Sequence, residues 1–284
     1  MAHILSLAAG TLPEFQPEEV AQAAGRAGFN HVGFTIEPGT WTPENRRATL
    51  DAIRTHDLSV LDVEVVWIPE GGKLADDHRL IIDAGIDLGA ANILVVSSEP
   101  DHGRTADALH QLCEWAAPGG MRVALEFLKI TAVQSMGDAL AIIRKADHPA
   151  AALLIDTIHF HRAGHKPEEL EELEASLLPY TQICDGGLDC VASFEAYLED
   201  AVDLRGCPGE GALPARYPAQ PGSPLQSLSG SIPRCDCPRN CRAQQQYGIS
   251  RSERRSDSIG STTRLTGYNR ASLLLRFRSC RSYI

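Results

Sequence analysis

The sequence predicts an α/β chain built as a (β/α)8 barrel, with seven βα units recognisable and the eighth replaced by something else. Three observations carry this. Strand-like and helix-like segments alternate seven times between residues 3 and 204. The segment Ala151–Ile155 is an apolar run without polar alternation, as in a strand buried on both faces. Successive strands end in Glu126, Asp156 and Gln182, and the C-terminal ends of parallel strands are where such a barrel carries its chemistry.

In chain order, His3–Leu7 is the first strand, because MAHILSLAAGTLPEF lacks the basic start and long apolar stretch of a signal peptide. A helix over Pro17–Gly28 follows, with Gly25 and Gly28 near its end. The second strand is His31–Glu37. The second helix, Pro43–Asp57, is opened by Thr42 before Pro43, a strong helix start. Ser59–Ile68, Asn92–Ser97 and Arg122–Leu128 are the third to fifth strands, followed by helices over Asp76–Gly89, Thr105–Ala117 and Ser135–Asp147. Ala151–Ile155 is the sixth strand, with a helix over Pro167–Ser176. Thr181–Cys184 is the seventh, with a helix over Ser193–Leu204. Such alternation implies a parallel sheet, and seven units in a row favour a barrel over an open doubly wound sheet. The turn after the first strand, AAGTLP, is not the Gly-rich dinucleotide fingerprint, which removes the main support for a nicotinamide or flavin enzyme.

The chain has 284 residues with 43% apolar content and a net charge of −11. That charge is unevenly spread. Residues 1–212 carry a net −20, whereas residues 213–284 carry +9 with twelve Arg and no Lys. An acidic body lacks the clustered positive charge of a nucleic-acid binder. No run of about 18 apolar residues suggests a membrane span. Cys113, Cys184, Cys190 and Cys207 are scattered as free thiols usually are in a reducing cytosol, so a cytoplasmic location is expected.

Two domains are expected: a barrel over residues 1–214 and an Arg/Ser/Cys-rich aperiodic tail over 215–284. The tail reads as disordered, as a small metal module on Cys235, Cys237 and Cys241, or as an out-of-frame end replacing the eighth strand and last helix. The abrupt compositional switch favours the last, and sequencing the gene around codons 212–216 tests it.

Glu126, Asp156 and Gln182 offer two carboxylates and an amide oxygen to one pocket. Such a hard, oxygen-rich set suits Mn²⁺, Mg²⁺ or a similar divalent ion. His159, three residues past Asp156, is within reach of the ion or of a substrate oxygen. Glu64, Trp67, Lys129 and Arg162 are candidate substrate-binding residues; Glu37, Ser97, Glu99, His102 and Arg104 fall near the same mouth. His161 and Arg162 suit an anionic group.

The residues ALEF around Glu126, D-T-x-H from Asp156 to His159, QICDG around Gln182 and Asp185, and RGCPGEG at Arg205–Gly211 resemble the sugar phosphate isomerase/epimerase family, the xylose-isomerase-like TIM barrels. The resemblance covers residues 1–214. It implies one divalent ion (Mn²⁺, Mg²⁺ or Co²⁺) held by Glu126, Asp156, Gln182 and a further Glu from the eighth strand. It also implies an isomerase or epimerase of carbohydrate metabolism, acting on a small sugar, sugar phosphate or hydroxy-keto compound through an enediolate. Glu126 would move the proton and His159 would hydrogen-bond the substrate oxygen. Gln at the third ligand place resembles the hydroxypyruvate isomerase and inosose dehydratase branches, so a lyase (dehydratase) is the first alternative. The departure is the fourth ligand: no Glu occurs between Gly211 and Ser252. Loss of such a group is typically worth about 10²–10⁴ in rate, so an inactive remnant barrel is the second alternative. Endonuclease IV-type repair enzymes have a similar barrel but need a basic DNA face. The expected partner is a small molecule, with no nucleic acid and no membrane; barrels of this kind often pair, so a homodimer stays open.

Overall fold

The computed structural model describes residues 4–13 and 15–184. The expectations for the Ser193–Leu204 helix, Asp185, the RGCPGEG segment and the 215–284 tail lie outside these residues. The described elements are strands β1 (Ser6–Leu7), β2 (His31–Thr35), β3 (Ser59–Ile68), β4 (Asn92–Ser97), β5 (Arg122–Glu126), β6 (Ala151–Asp156) and β7 (Thr181–Gln182). Between them lie helices α1 (Pro17–Ala27), α2 (Pro43–Thr55), α3 (Asp76–Leu88), α4 (His102–Ala116), α5 (Met136–Ala146) and α6 (Thr157–Arg162). The strands form one parallel seven-stranded sheet in sequential order, β1 to β7. No described helix is long and apolar enough to cross a membrane.

Most helices start where the sequence supplies a cap. Thr42 accepts from Asn45 N at the head of α2, and Ser135 accepts from Asp138 N at the head of α5. α4 begins at His102, three residues earlier than expected, because Asp101 accepts from the backbone N–H groups of Gly103 and Arg104. The helix expected over Pro167–Ser176 is absent. Two 3₁₀ turns, Pro167–Glu172 and Ala175–Leu177, take its place. Leu170, within the first of them, is buried. The helix of this unit is α6 instead, which starts immediately after Asp156 and is capped by it.

Two apolar layers form around the sheet. The larger one joins outward residues such as Val32, Val63, Val95, Leu125 and Leu153 to helix residues such as Ala24, Ile82, Leu109 and Ile143. The smaller takes only residues on or beside strands: Ala8, Leu61, Leu94, Val96, Ala124, Ala152, Leu154 and Tyr180 among them. This second cluster is the inner face of a curled sheet. The curl is visible in a contact between strands four places apart, where the Tyr180 hydroxyl, beside β7, donates to Asp62 Oδ2 on β3 at 3.2 Å. In a flat sheet those strands would be about 19 Å apart.

β3 departs twice from regular pairing. Val32 faces Val60 but Gly33 faces Asp62, and Val63 faces Ile93 but Val66 faces Val95. Each step inserts one extra β3 residue, a bulge that turns two consecutive side chains to the same side. Leu61 and Asp62 therefore both point inward, as do Glu64 and Val65, whereas Val60, Val63, Val66 and Ile68 pack outward on helices.

Candidate active site and metal centre

The inward residues at the ends of β5, β6 and β7 are Glu126, Asp156 and Gln182, each the last residue of its strand and each buried. Asp156 and Gln182 are direct ladder partners. Asp156 Oδ1 accepts from the N–H groups of Ile158 (2.8 Å) and His159 (3.2 Å), which starts α6 and fixes its direction. His159, in the first turn of that helix, is thereby brought back over the strand ends, with Nε2 4.0 Å from Glu126 Oε1. Among the described residues, Glu126, Asp156 and His159 form a group whose potential ligand atoms all lie within 4.8 Å of one another.

β3 adds two further carboxylates to the same cavity. Glu64 lies there half-buried, with the Gln182 side chain as a polar neighbour. Asp62 is fully buried and accepts from Tyr180, while its Oδ1 has no hydrogen-bond partner. Gly33, facing Asp62 across the ladder, leaves the room that this carboxylate occupies; a Cβ there would overlap Oδ1.

Four carboxylates sharing one water-poor cavity resist ionising together. Burial pushes Glu126 well above its ordinary range, and the charges of Asp156, Glu64 and Asp62 add to this. Burial and the neighbouring Asp62 raise Glu64 to about 8, with the Gln182 side chain opposing. Asp62 rises to about 7, chiefly by burial and in spite of the Tyr180 bond. His159 is lowered by burial, with Arg162 adding and Asp156 opposing, which favours the neutral imidazole. A crowded set of oxygen donors with one neutral imidazole beside them fits a hard or borderline divalent cation, whose charge would compensate carboxylates that have little other relief here.

The remaining expected residues are placed as follows. Trp67, late in β3, packs with the inner cluster and donates its indole N–H to Ser98 Oγ at 2.6 Å. Lys129 lies half-buried in the turn after β5, and Arg162 is the last residue of α6. Glu99 follows the end of β4 by two residues. It is buried, accepting from Arg104 Nη2 and Asp101 N, each at 2.6 Å, and from Gly71 N. It thus ties the loop after β3 to the start of α4, and the Arg104 guanidinium holds it below its ordinary pKa. His102 Nε2 lies 3.3 Å from the Ala132 carbonyl. Asp62 and Tyr180 were not among the expected site residues. The signal for Asp62 is the D-x-E of LDVEV, two acids two apart in an otherwise apolar strand.

Comparison with known proteins agrees with this architecture. The chain superposes on a xylose isomerase-like TIM barrel/4-hydroxyphenylpyruvate dioxygenase fusion protein with a TM-score of 0.60 at 20% identity. The match covers 73% of this chain but only 35% of that one, so the chain spans about a third of the fusion protein. It superposes on the IolI protein, crystallised with a bound zinc atom, with a TM-score of 0.61 at 16% identity over 78% of this chain and 83% of that one. A D-allulose 3-epimerase from Methylomonas sp. in complex with D-allulose gives a TM-score of 0.54 at 16% identity over 69% and 78%. No curated protein sequence matches the chain. Identities this low speak for the fold alone. The sequence itself matches the xylose isomerase-like TIM barrel family over residues 20–217, most of the chain, and on that match the protein belongs to this family.

Proposed function

We propose that the chain is a divalent-metal-dependent isomerase or epimerase of a small sugar, sugar phosphate or hydroxy-keto compound. The observation that carries the proposal is the convergence of Glu126, Asp156 and His159 at the ends of β5 and β6, with Gln182 beside them. Membership of a barrel family whose structural neighbours include a sugar epimerase supports the same reading. Glu126, Asp156 and Gln182 would hold the ion, with Mn²⁺, Mg²⁺ or Co²⁺ the best suited. The ion supplies Lewis-acid polarisation of a carbonyl and a neighbouring hydroxyl, which acidifies the adjacent carbon-bound proton.

The protein's own groups do the rest. Glu126 takes and returns that proton, as the carboxylate at the end of β5 beside the reacting carbon. His159, held neutral, donates an N–H to the substrate oxygen that gains charge. Trp67 has its N–H engaged by Ser98, so it offers the substrate a ring face. Lys129 and Arg162 supply positive charge for an anionic substituent.

The test is proton exchange. Incubated in D₂O with Mn²⁺ and a panel of ketoses and inososes, the protein is expected to wash deuterium into a carbon next to the carbonyl of at least one of them. Removing the metal should abolish the exchange, and Glu126→Gln should slow it by about 10²–10⁴. A protein that binds no divalent ion and exchanges no proton on any member of the panel overturns the proposal.

A further inference from the structure

α6 ends in a bonded reversal of the chain. Gly164, with a φ of 83°, donates its N–H to the His161 carbonyl at 2.9 Å, and His165 donates its N–H to the Phe160 carbonyl at 3.2 Å. This is the Schellman pairing, which often brings the side chain after the turn back onto the last turn of the helix. The side chain brought back here is an imidazole. Its ring centroid lies 5.3 Å from that of Phe160 and 5.6 Å from that of Phe127, the latter edge to face at 81°. Phe160 directly follows His159, Phe127 directly follows Glu126, and both phenylalanines are buried in the outer apolar layer.

Both ring nitrogens of His165 are engaged as well. Met136 is the first residue of α5, where a backbone N–H finds no acceptor within its own helix. It donates to His165 Nε2 at 3.0 Å. A backbone N–H can only donate, so Nε2 presents its lone pair and the proton of the neutral ring sits on Nδ1. Nδ1 in turn donates to Glu169 Oε2 at 2.8 Å. One side chain thus joins the end of β5, the head of α5, α6 and the Pro167–Glu172 turn.

We propose that His165 is a positioning residue for His159. By filling the space between Phe127 and Phe160 it sets how closely α6 lies against the end of β5, and with it the 4.0 Å approach of His159 Nε2 to Glu126 Oε1. The Asp156 cap sets where α6 begins, and the imidazole braces its far end. The proposal rests on the isomerase reading above, in which His159 serves the substrate oxygen. It also accounts for a histidine at this place. A phenylalanine could fill the same space but would satisfy neither the Met136 N–H nor Glu169 Oε2, whereas the imidazole supplies a ring, an acceptor and a donor together.

The experiment has two arms. In metal-free wild-type protein at pH 8, the His165 ring is assigned by through-bond NMR correlation to its own backbone, and long-range ¹H–¹⁵N spectra read its tautomer. A proton on Nδ1 and none on Nε2 is expected. A proton on Nε2 overturns the proposal, and this arm needs neither metal nor a variant that folds. In the second arm, His165→Ala is expected to lower kcat for proton exchange about 10–100-fold through misplacement of His159. KM and Co²⁺ affinity, the latter read by visible absorption, should stay within a few-fold of wild type, and the His159 ring signals should shift. An unchanged kcat, unmoved His159 signals, or a Co²⁺ affinity that falls as far as kcat would overturn the proposal. Wild-type protein that exchanges no substrate proton defeats the isomerase reading instead, and the His159 signals then decide whether His165 positions that ring.

Discussion

Gly33 and Asp62 face one another across the β2–β3 ladder, and the first makes room for the second. A methyl group at position 33 would collide with Asp62 Oδ1 and crowd the Ala9 backbone. Gly33→Ala is therefore expected to destabilise the protein by about 1–3 kcal/mol through overpacking. Urea unfolding checks this; an unchanged midpoint would show that Asp62 has somewhere else to go. At this scale the sequence was readable where a residue's position follows from its place at a strand tip. Glu126, Asp156 and Gln182 are such residues, and the structure brings them to one cavity. Asp62 and Tyr180 were not readable. Which way a mid-strand side chain points depends on an unbroken period of two, and β3 breaks it. The burial of Glu99 was not readable either, because it depends on the backbone N–H groups and the arginine that enclose this loop carboxylate.

Among the elements, α6 is short yet tightly placed, because one carboxylate oxygen of Asp156 caps it and sets His159 opposite Glu126. Asp156 therefore has a structural task and, in the proposed metal site, a chemical one, whereas Ser135 at the head of α5 has only the first. Ser135→Ala is expected to cost about 1 kcal/mol of stability and to leave Co²⁺ affinity unchanged. Asp156→Ala should cost about 0.5–2 kcal/mol through its cap and also abolish metal binding. Thermal melts paired with cobalt titrations separate the two. If both variants bind metal normally, Asp156 is only a cap. Helix starts with a Thr or Ser cap were legible in the sequence. The 167–176 segment was not, because an acidic, leucine-spaced stretch suits α and 3₁₀ turns alike.

For the molecule as a whole, acidic groups gathered in one cavity tie stability to pH. Asp62 and Glu64 are raised from 3.8 to about 7 and from 4.5 to about 8. The folded state then holds protons that the unfolded chain has already released. Their contribution is fully present below about pH 4 and is lost as pH rises through 7 to 8, by up to about 1.4 kcal/mol per group per pH unit. The metal-free protein should accordingly melt at a lower temperature at pH 8 than at pH 5, and Mn²⁺ should stabilise it more at pH 8. Differential scanning calorimetry at both values, with and without Mn²⁺, checks the sign; a metal-free melting temperature that rises from pH 5 to pH 8 contradicts it. The barrel class was legible from the alternation of strands and helices, since each unit repeats the same apolar pattern. The contents of its interior were not, and β3 shows why. Considered as a wave of in-and-out side chains, the strand undergoes two phase slips. The second cancels the first, so Val60 and Val66 agree in parity and both meet helices. Only the window from Asp62 to Glu64 is inverted. An uninterrupted strand would have turned these two acids toward the helices and Val63 into the lumen. The acidity of the cavity is thus encoded less by which residues β3 contains than by two offsets in how they are counted against its neighbours.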